Sequence, residues 1–263
     1  NGIAVLRYDD RGVASSTGDM SNATLDNFAR DALGAVAFLK GRDDIGSIGL
    51  IGHSEGGGVA DRVATESEDV SWTIRMAGTS VSGREILEEQ SRAIFLANGG
   101  SAANAATLSD INGAVYDLAM SDLDADEFLA QALELVDEKT RDLEPDVKAA
   151  LEVDNAEAML QAVSTPWFRH FLQHDPIEDL KRLDIPVLAI YGSKDTQVLA
   201  TQNEPLAKRE MRHPDSRTRV FENLNHLFQT TDGSGSPSEY GRITETINPM
   251  VLDELLTWIQ THG

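Results

Sequence analysis

The residues 48–58, IGLIGHSEGGG, set Ser54 among glycines directly after a short apolar run. Two kinds of chemistry use such a pattern. A phosphate-binding loop needs Lys and then Ser or Thr after its last glycine, and the dinucleotide fingerprint needs G-x-G-x-x-G. Neither occurs in this stretch. Gly52-His53-Ser54-Glu55-Gly56 instead matches G-x-S-x-G, a sharp turn that holds a nucleophilic serine between a strand and a helix. Such a turn is strained, so only small residues are expected two positions either side of Ser54. It would expose Oγ and aim the Glu55 N–H at a developing oxyanion. Glycine turns also produce the pattern by chance, so the reading depends on finding a base and an acid.

A serine hydroxyl is a poor nucleophile unless a histidine takes its proton and a carboxylate orients that histidine. After a serine of this kind the expected order is Ser, then Asp or Glu, then His, each at a strand's end. The run IPVLAIYG ends in Ser193-Lys194-Asp195, and TRVFENLN ends at His226. Asp195 therefore stands where the acid should be and His226 where the base should be. His53 precedes the serine on the strand, so its side chain is expected on the opposite face; it is kept only as a substrate-pocket candidate. His213 adjoins Pro214 in a charged stretch, and His262 is at the terminus. His170 and His174, four apart, would share a helix face and could bind a metal. No Glu lies between them as in H-E-x-x-H, so packing or substrate contact is expected there, with no metal and no cofactor.

Four short, apolar, β-branched segments read as buried parallel strands: residues 3–8, 47–52, 72–76 and 185–191. Residues 218–221 are a weaker fifth. Between the first two, ATLDNFARDALGAVAFLKG has Leu25, Phe28, Leu33, Val36, Phe38 and Leu39 at helical spacing, with Gly41 as a C-cap. A strand, a helix and a strand of this kind imply a parallel crossover. The last helix is expected over residues 249–260, with Leu252, Leu255, Leu256 and Ile259 on one face. From about residue 84 to 175 the pattern is helical and acidic, which reads as an insertion covering the C-terminal ends of the strands, where open α/β sheets bind ligands. The expected division is residues 1–83 as the first part of the core, 84–175 as a helical cap and 176–263 as the second part. In PWFRHFLQHDP, Trp167, Phe168 and Phe171 are candidates to line a pocket or to pack the cap onto the sheet. Residues 231–241, TDGSGSPSEYG, read as a polar loop.

Across 263 residues there are 44 acidic and 22 basic side chains, a formal net charge of −22, and no cysteine. Such acidity argues against nucleic acids and anionic membranes, which require a basic surface. It fits a self-repelling surface or adaptation to high salt, since Lys is scarcer than Arg. The lack of cysteine excludes disulfides, thiolate metal sites and cysteine nucleophiles. No run of about 18 apolar residues suggests membrane insertion. The compartment is open.

These motifs together resemble the α/β-hydrolase superfamily, in particular bacterial esterases and serine-aminopeptidase-like hydrolases. RYDDRGVASSTGD is similar to their D-x-R-G-x-G-x-S-x-G turn, with Ala14 where a glycine is usual. GHSEGG, PVLAIYGSKDTQV and NLNHLFQ are similar to their elbow, acid loop and histidine loop. The resemblance implies a mostly parallel sheet with helices on both faces and an inserted helical cap. It also implies Ser54, Asp195 and His226 as nucleophile, acid and base, with the Glu55 N–H as one oxyanion donor. Asp10 and Arg11 would brace the turn. It further implies that residues 3–8 are the fourth strand, and that the third strand and its oxyanion loop lie outside these residues. On that expectation the chain begins in mid-domain and leaves strand edges unpaired.

The expected activity is hydrolysis of a carboxylic ester through an acyl-enzyme, on a small-molecule ester or short peptide-like substrate. A serine aminopeptidase, or another amide or thioester hydrolase, would use the same three residues. A binding domain that keeps the fold without catalysis is the third reading. Aspartate-nucleophile chemistry is disfavoured by Ser54.

Overall fold

The computed structural model describes residues 2–263. Among these, the strands β1 (Ile48–His53), β2 (Val70–Met76), β3 (Val187–Gly192) and β4 (Arg217–Phe221) form one sheet in the order β1-β2-β3-β4. Every pairing is parallel, with Ile51 opposite Ile74, Ile74 opposite Leu188 and Ile190 opposite Arg219. Parallel strands covered on both faces need apolar side chains in both directions. β3 meets that demand, being buried along its whole length.

Helix α1 (Leu25–Lys40) precedes β1, and α2 (Glu55–Glu66) joins β1 to β2. α1 buries Leu25, Phe28, Ala29, Ala32 and Val36 at helical spacing and is closed by Gly41. Phe38, expected on that face, is 58% exposed. Ala29, Val36, Ile48, Val63 and Val70 make a small core where α1 and α2 meet the sheet.

Between β2 and β3 the described chain is helical: α3 (Gly83–Ala97), α4 (Ala102–Ala119), α5 (Ala125–Thr140), α6 (Pro145–Ala150), α7 (Ala156–Val163), α8 (Pro166–Gln173) and α9 (Ile177–Leu180). Most of these share a core of their own, built on Ile111, Tyr116, Phe128, Ala132, Leu160 and Leu172. α8 connects the two cores: Leu172 and Phe168 face the helical one, and Phe171 packs against the sheet core. Arg169 fastens α8 by donating to the carbonyls of Ala119, Ser121 and Leu123. α10 (Ala200–Glu210) and α11 (Pro249–His262) complete the fold. The buried stripe of α11 is Val251 and Trp258; Leu255 and Ile259 are half-buried beside them, and Leu252 is exposed.

Residues 3–8, expected as a strand, form none. Val5 and Tyr8 are 78% and 50% exposed. The segment has strand composition but no ladder to join, because the outer edge of β1 carries no partner among the described residues. An extended run without a neighbour gains neither cross-strand hydrogen bonds nor side-chain pairs. It leads into a tight turn in which Val13 N–H donates to Asp10 O and Ser16 Oγ to Asp9 O. Arg11 reaches α1 through two 2.7 Å bonds to the Asp31 carboxylate. Ala14 sits at φ 46°, a conformation that favours glycine.

Candidate active site

β1 ends at His53 and α2 begins at Glu55, so the whole reversal falls on Ser54, at φ 55° and ψ −122°. A non-glycine residue there stores about 1–3 kcal/mol of strain, held by its surroundings. Ser54 N–H donates to Met76 O at 2.8 Å, and Ser54 O accepts from Gly57 N–H at 3.0 Å. The close approaches are specific. A Cβ on Gly52 would lie 1.9 Å from Gly56 O, and one on Gly57 would lie 3.0 Å from Gly78 Cα. A Cβ on Gly56 would meet nothing within 4 Å. The expectation that both motif glycines must be small is thus corrected: on the C-terminal side the crowded position is Gly57.

Beneath the elbow, Arg75 of β2 and Asp61 of α2 form a fully buried pair, with Nε and Oδ2 2.9 Å apart. Burial pushes the Asp61 carboxyl up to about 7 even beside the guanidinium. Arg75 also donates to Ser80 Oγ and to Thr79 O, and Tyr191 OH donates to Gly78 O. Nothing in the spacing of these residues signals the pair.

Asp195 lies in the turn after β3 and His226 in the loop after β4. Both are almost fully buried, and His226 Nδ1 is 2.8 Å from Asp195 Oδ2. The other carboxylate oxygen accepts N–H bonds from Gln197 and Val198 at 2.8 and 2.9 Å. A carboxylate at Nδ1 holds the proton there and leaves Nε2 as the basic nitrogen. The two loops are tied together by Lys194 N–H to Leu224 O and by Asn223 N–H to Ser193 Oγ, both 2.9 Å. Among the described residues no hydrogen bond joins Ser54 Oγ to His226; such bonds often tighten only when substrate is bound.

His53 does not face away from these residues. Its Nε2 contacts His226 O at 2.8 Å, and its ring centroid lies 4.6 Å from that of His226. Strand alternation fails as a guide because the chain leaves the strand at the next residue. Desolvation of the ring, and the His226 ring beside it, push His53 below the ordinary histidine value, although part of the residue remains exposed.

The Glu55 side chain, half-buried, accepts a 2.9 Å bond from Trp167 Nε1. Burial raises its carboxyl, the indole bond opposes this, and Asp10 adds to it. Trp167 stacks on Phe171 at 5.3 Å, while Phe168 turns toward Tyr116 in the helical core. Among the described residues, Trp167 is the aromatic candidate that hydrogen-bonds to the elbow. His170 and His174 stack at 6.2 Å beside a polar cleft of about 390 Å³ that also borders Asp26 and Arg62. Among the described residues no group of three or more His, Cys, Asp or Glu could hold a metal ion.

The polar stretch after His226 is more ordered than its composition suggests. Glu239 accepts from Thr231, Ser234 and Gly235, and these bonds hold its carboxyl down at about 2. The loop built on it reaches back to the acid turn: Thr196 Oγ1 donates to Gly235 O, and Gln197 Nε2 to Tyr240 OH.

Residues 1–230 match the model of the family described as serine aminopeptidase, S33. The sequence is 26% identical over 258 residues to esterase EstD of Thermotoga maritima, covering 98% of this chain and 53% of that protein, so the chain spans about half that relative's length. Among solved structures, a bromoperoxidase from Bacillus anthracis superposes with a TM-score of 0.51 at 16% identity, over 96% of this chain and 80% of that one. That likeness speaks to the fold alone. With a parallel sheet clothed in helices and a family match over most of its length, the chain belongs to the serine aminopeptidase, S33, family of α/β-hydrolases.

Proposed function

We propose that the protein is a serine hydrolase that cleaves carboxylic esters through an acyl-enzyme. The observation that carries this reading is the 2.8 Å contact of His226 Nδ1 with Asp195, in loops tied to one another, with Ser54 at a strained turn directly after His53, whose ring meets that of His226. In the reaction, Ser54 Oγ attacks the ester carbonyl as His226 Nε2 takes its proton. The oxyanion receives the Glu55 N–H. His226 then returns the proton to the leaving alcohol, and a water deprotonated by the same nitrogen releases the acid. In this reading residues 84–175 are a cap over the site, between core segments 1–83 and 176–263. The substrate is a small ester.

The family description favours a second reading, in which the same residues cleave an amide at a peptide N-terminus. Side-by-side assay of short p-nitrophenyl esters and amino-acid p-nitroanilides separates them. Ester turnover that is lost in Ser54→Ala supports the first reading, and comparable anilide turnover supports the second. Absence of both, with no labelling of Ser54 by a fluorophosphonate, would leave a non-catalytic binding domain.

A further inference from the structure

The residue after the candidate nucleophile carries a carboxylate whose role is not exhausted by its backbone N–H. Glu55 is the first residue of α2, so its side chain rises within one side-chain length of Ser54. Its Oε1 accepts the indole N–H of Trp167 at 2.9 Å. That is the only polar group the Trp167 side chain has, and a half-buried indole N–H without an acceptor is costly. Phe171 stacks on the indole plane at 5.3 Å with 17° between the rings. Phe168 meets its edge at 6.0 Å.

α8 itself is held independently of this contact. Leu172 is buried in the helical core, Phe171 packs on the sheet core, and Arg169 is bonded to three carbonyls. The helix is therefore anchored, and the hydrogen bond acts on the rotamer of one indole.

We propose that Glu55 and Trp167 form a latch that sets substrate selectivity: the Glu55 carboxylate pins the Trp167 indole as one wall of the acyl pocket, limiting the length and width of the apolar acyl group that can reach Ser54. The proposal rests on the esterase reading above. Glu55 is a positioning residue here, acting through Trp167, and Trp167 is the residue that touches the acyl chain. The occupant is an aliphatic or aromatic acyl group, because the wall offered by Trp167 and Phe171 is aromatic and its one donor is already engaged.

The test compares Glu55→Ala, Glu55→Gln, Trp167→Phe and the double variant Glu55→Ala/Trp167→Phe with the parent. One measurement is the ratio of kcat/KM for p-nitrophenyl octanoate to that for p-nitrophenyl acetate. A mobile indole should shift this ratio about tenfold in Glu55→Ala and in Trp167→Phe, with the change in the ratio carried chiefly by KM for the longer ester. Glu55→Gln keeps an acceptor, so its octanoate-to-acetate ratio should stay within about twofold of the parent's. The double variant should shift no further than either single variant, because both remove one bond.

A second measurement does not require turnover. The other two tryptophans, Trp72 and Trp258, are 5% and 1% exposed, so acrylamide quenching of tryptophan fluorescence reports on Trp167. Quenching should rise in Glu55→Ala and remain low in Glu55→Gln. If Glu55→Ala loses all activity, Trp167→Phe decides: a ratio within about twofold of the parent overturns the proposal. Independent, additive shifts in the double variant also overturn it, as does unchanged quenching in Glu55→Ala. A parent protein that turns over neither ester and leaves Ser54 unlabelled refutes the esterase reading, and the selectivity role falls with it. An active parent with unchanged ratios refutes the latch alone.

Discussion

Alanine at the two glycines of the elbow motif should have opposite consequences. At Gly52 the added Cβ would stand 1.9 Å from Gly56 O, 2.2 Å from Gly56 C and 2.6 Å from Gly57 N. All three neighbours are backbone, so no side chain can swing aside. Ordinary contact begins near 3.4 Å, and the turn would have to open by about 1.5 Å. A displacement of about 1 Å at reacting groups costs on the order of 10²-fold in rate, and forced overpacking costs about 1–3 kcal/mol. Gly52→Ala should therefore lower kcat/KM on p-nitrophenyl acetate by at least about a hundredfold and reduce the urea midpoint. Gly56 lies inside α2 with open space around its Cβ, so Gly56→Ala should gain up to about 1 kcal/mol of helix propensity. Its kcat/KM should stay within a few-fold of the parent. The reasoning is refuted if Gly52→Ala remains within about threefold of the parent, or if Gly56→Ala falls as far as Gly52→Ala.

Three further expectations concern the same region. Ser54→Ala and His226→Ala should each remove most turnover and the double variant scarcely more, because the groups act as a unit. Asp195→Asn should cost up to about 10⁴-fold through the wrong imidazole tautomer. Near-normal turnover in His226→Ala would refute the assigned base. Asp61→Ala strands the Arg75 guanidinium in the core and should destabilise the fold by about 3–5 kcal/mol in urea unfolding, with Asp61→Ala/Arg75→Met recovering most of the loss. A cost below about 1 kcal/mol would show that the pair is not buried as a charge.

The strands that were legible are those whose own composition forced the answer. An apolar, β-branched run such as residues 187–192 has few options other than a covered parallel strand, and it is buried throughout. Residues 3–8 look the same in sequence and yet form no strand. Composition belongs to a segment, whereas a ladder belongs to a pair, and a single segment carries no record of whether its neighbour is present. Phe38 and Leu252 fail for a related reason. Helical spacing fixes which residues share a face, but how wide a face is covered depends on what packs there. The Asp61–Arg75 pair is invisible for a stronger reason: a charged residue within an apolar element reads as a solvated face until its partner, on another element, is found beside it.

Ser54, Asp195 and His226 could be singled out because a parallel sheet has one carboxyl edge, and each residue follows a strand that ends there. Chain order and strand ends suffice to name them as candidates, and Asp195 and His226 stand 2.8 Å apart. The contact of Glu55 with Trp167 obeys no such rule. Glu55 and Trp167 are 112 positions apart and meet only because α8 straddles two cores, sending Leu172 and Phe168 into one and Phe171 into the other. The three candidate residues are placed by topology that sequence order records. The contact between Glu55 and Trp167 is placed by helix packing that it does not record.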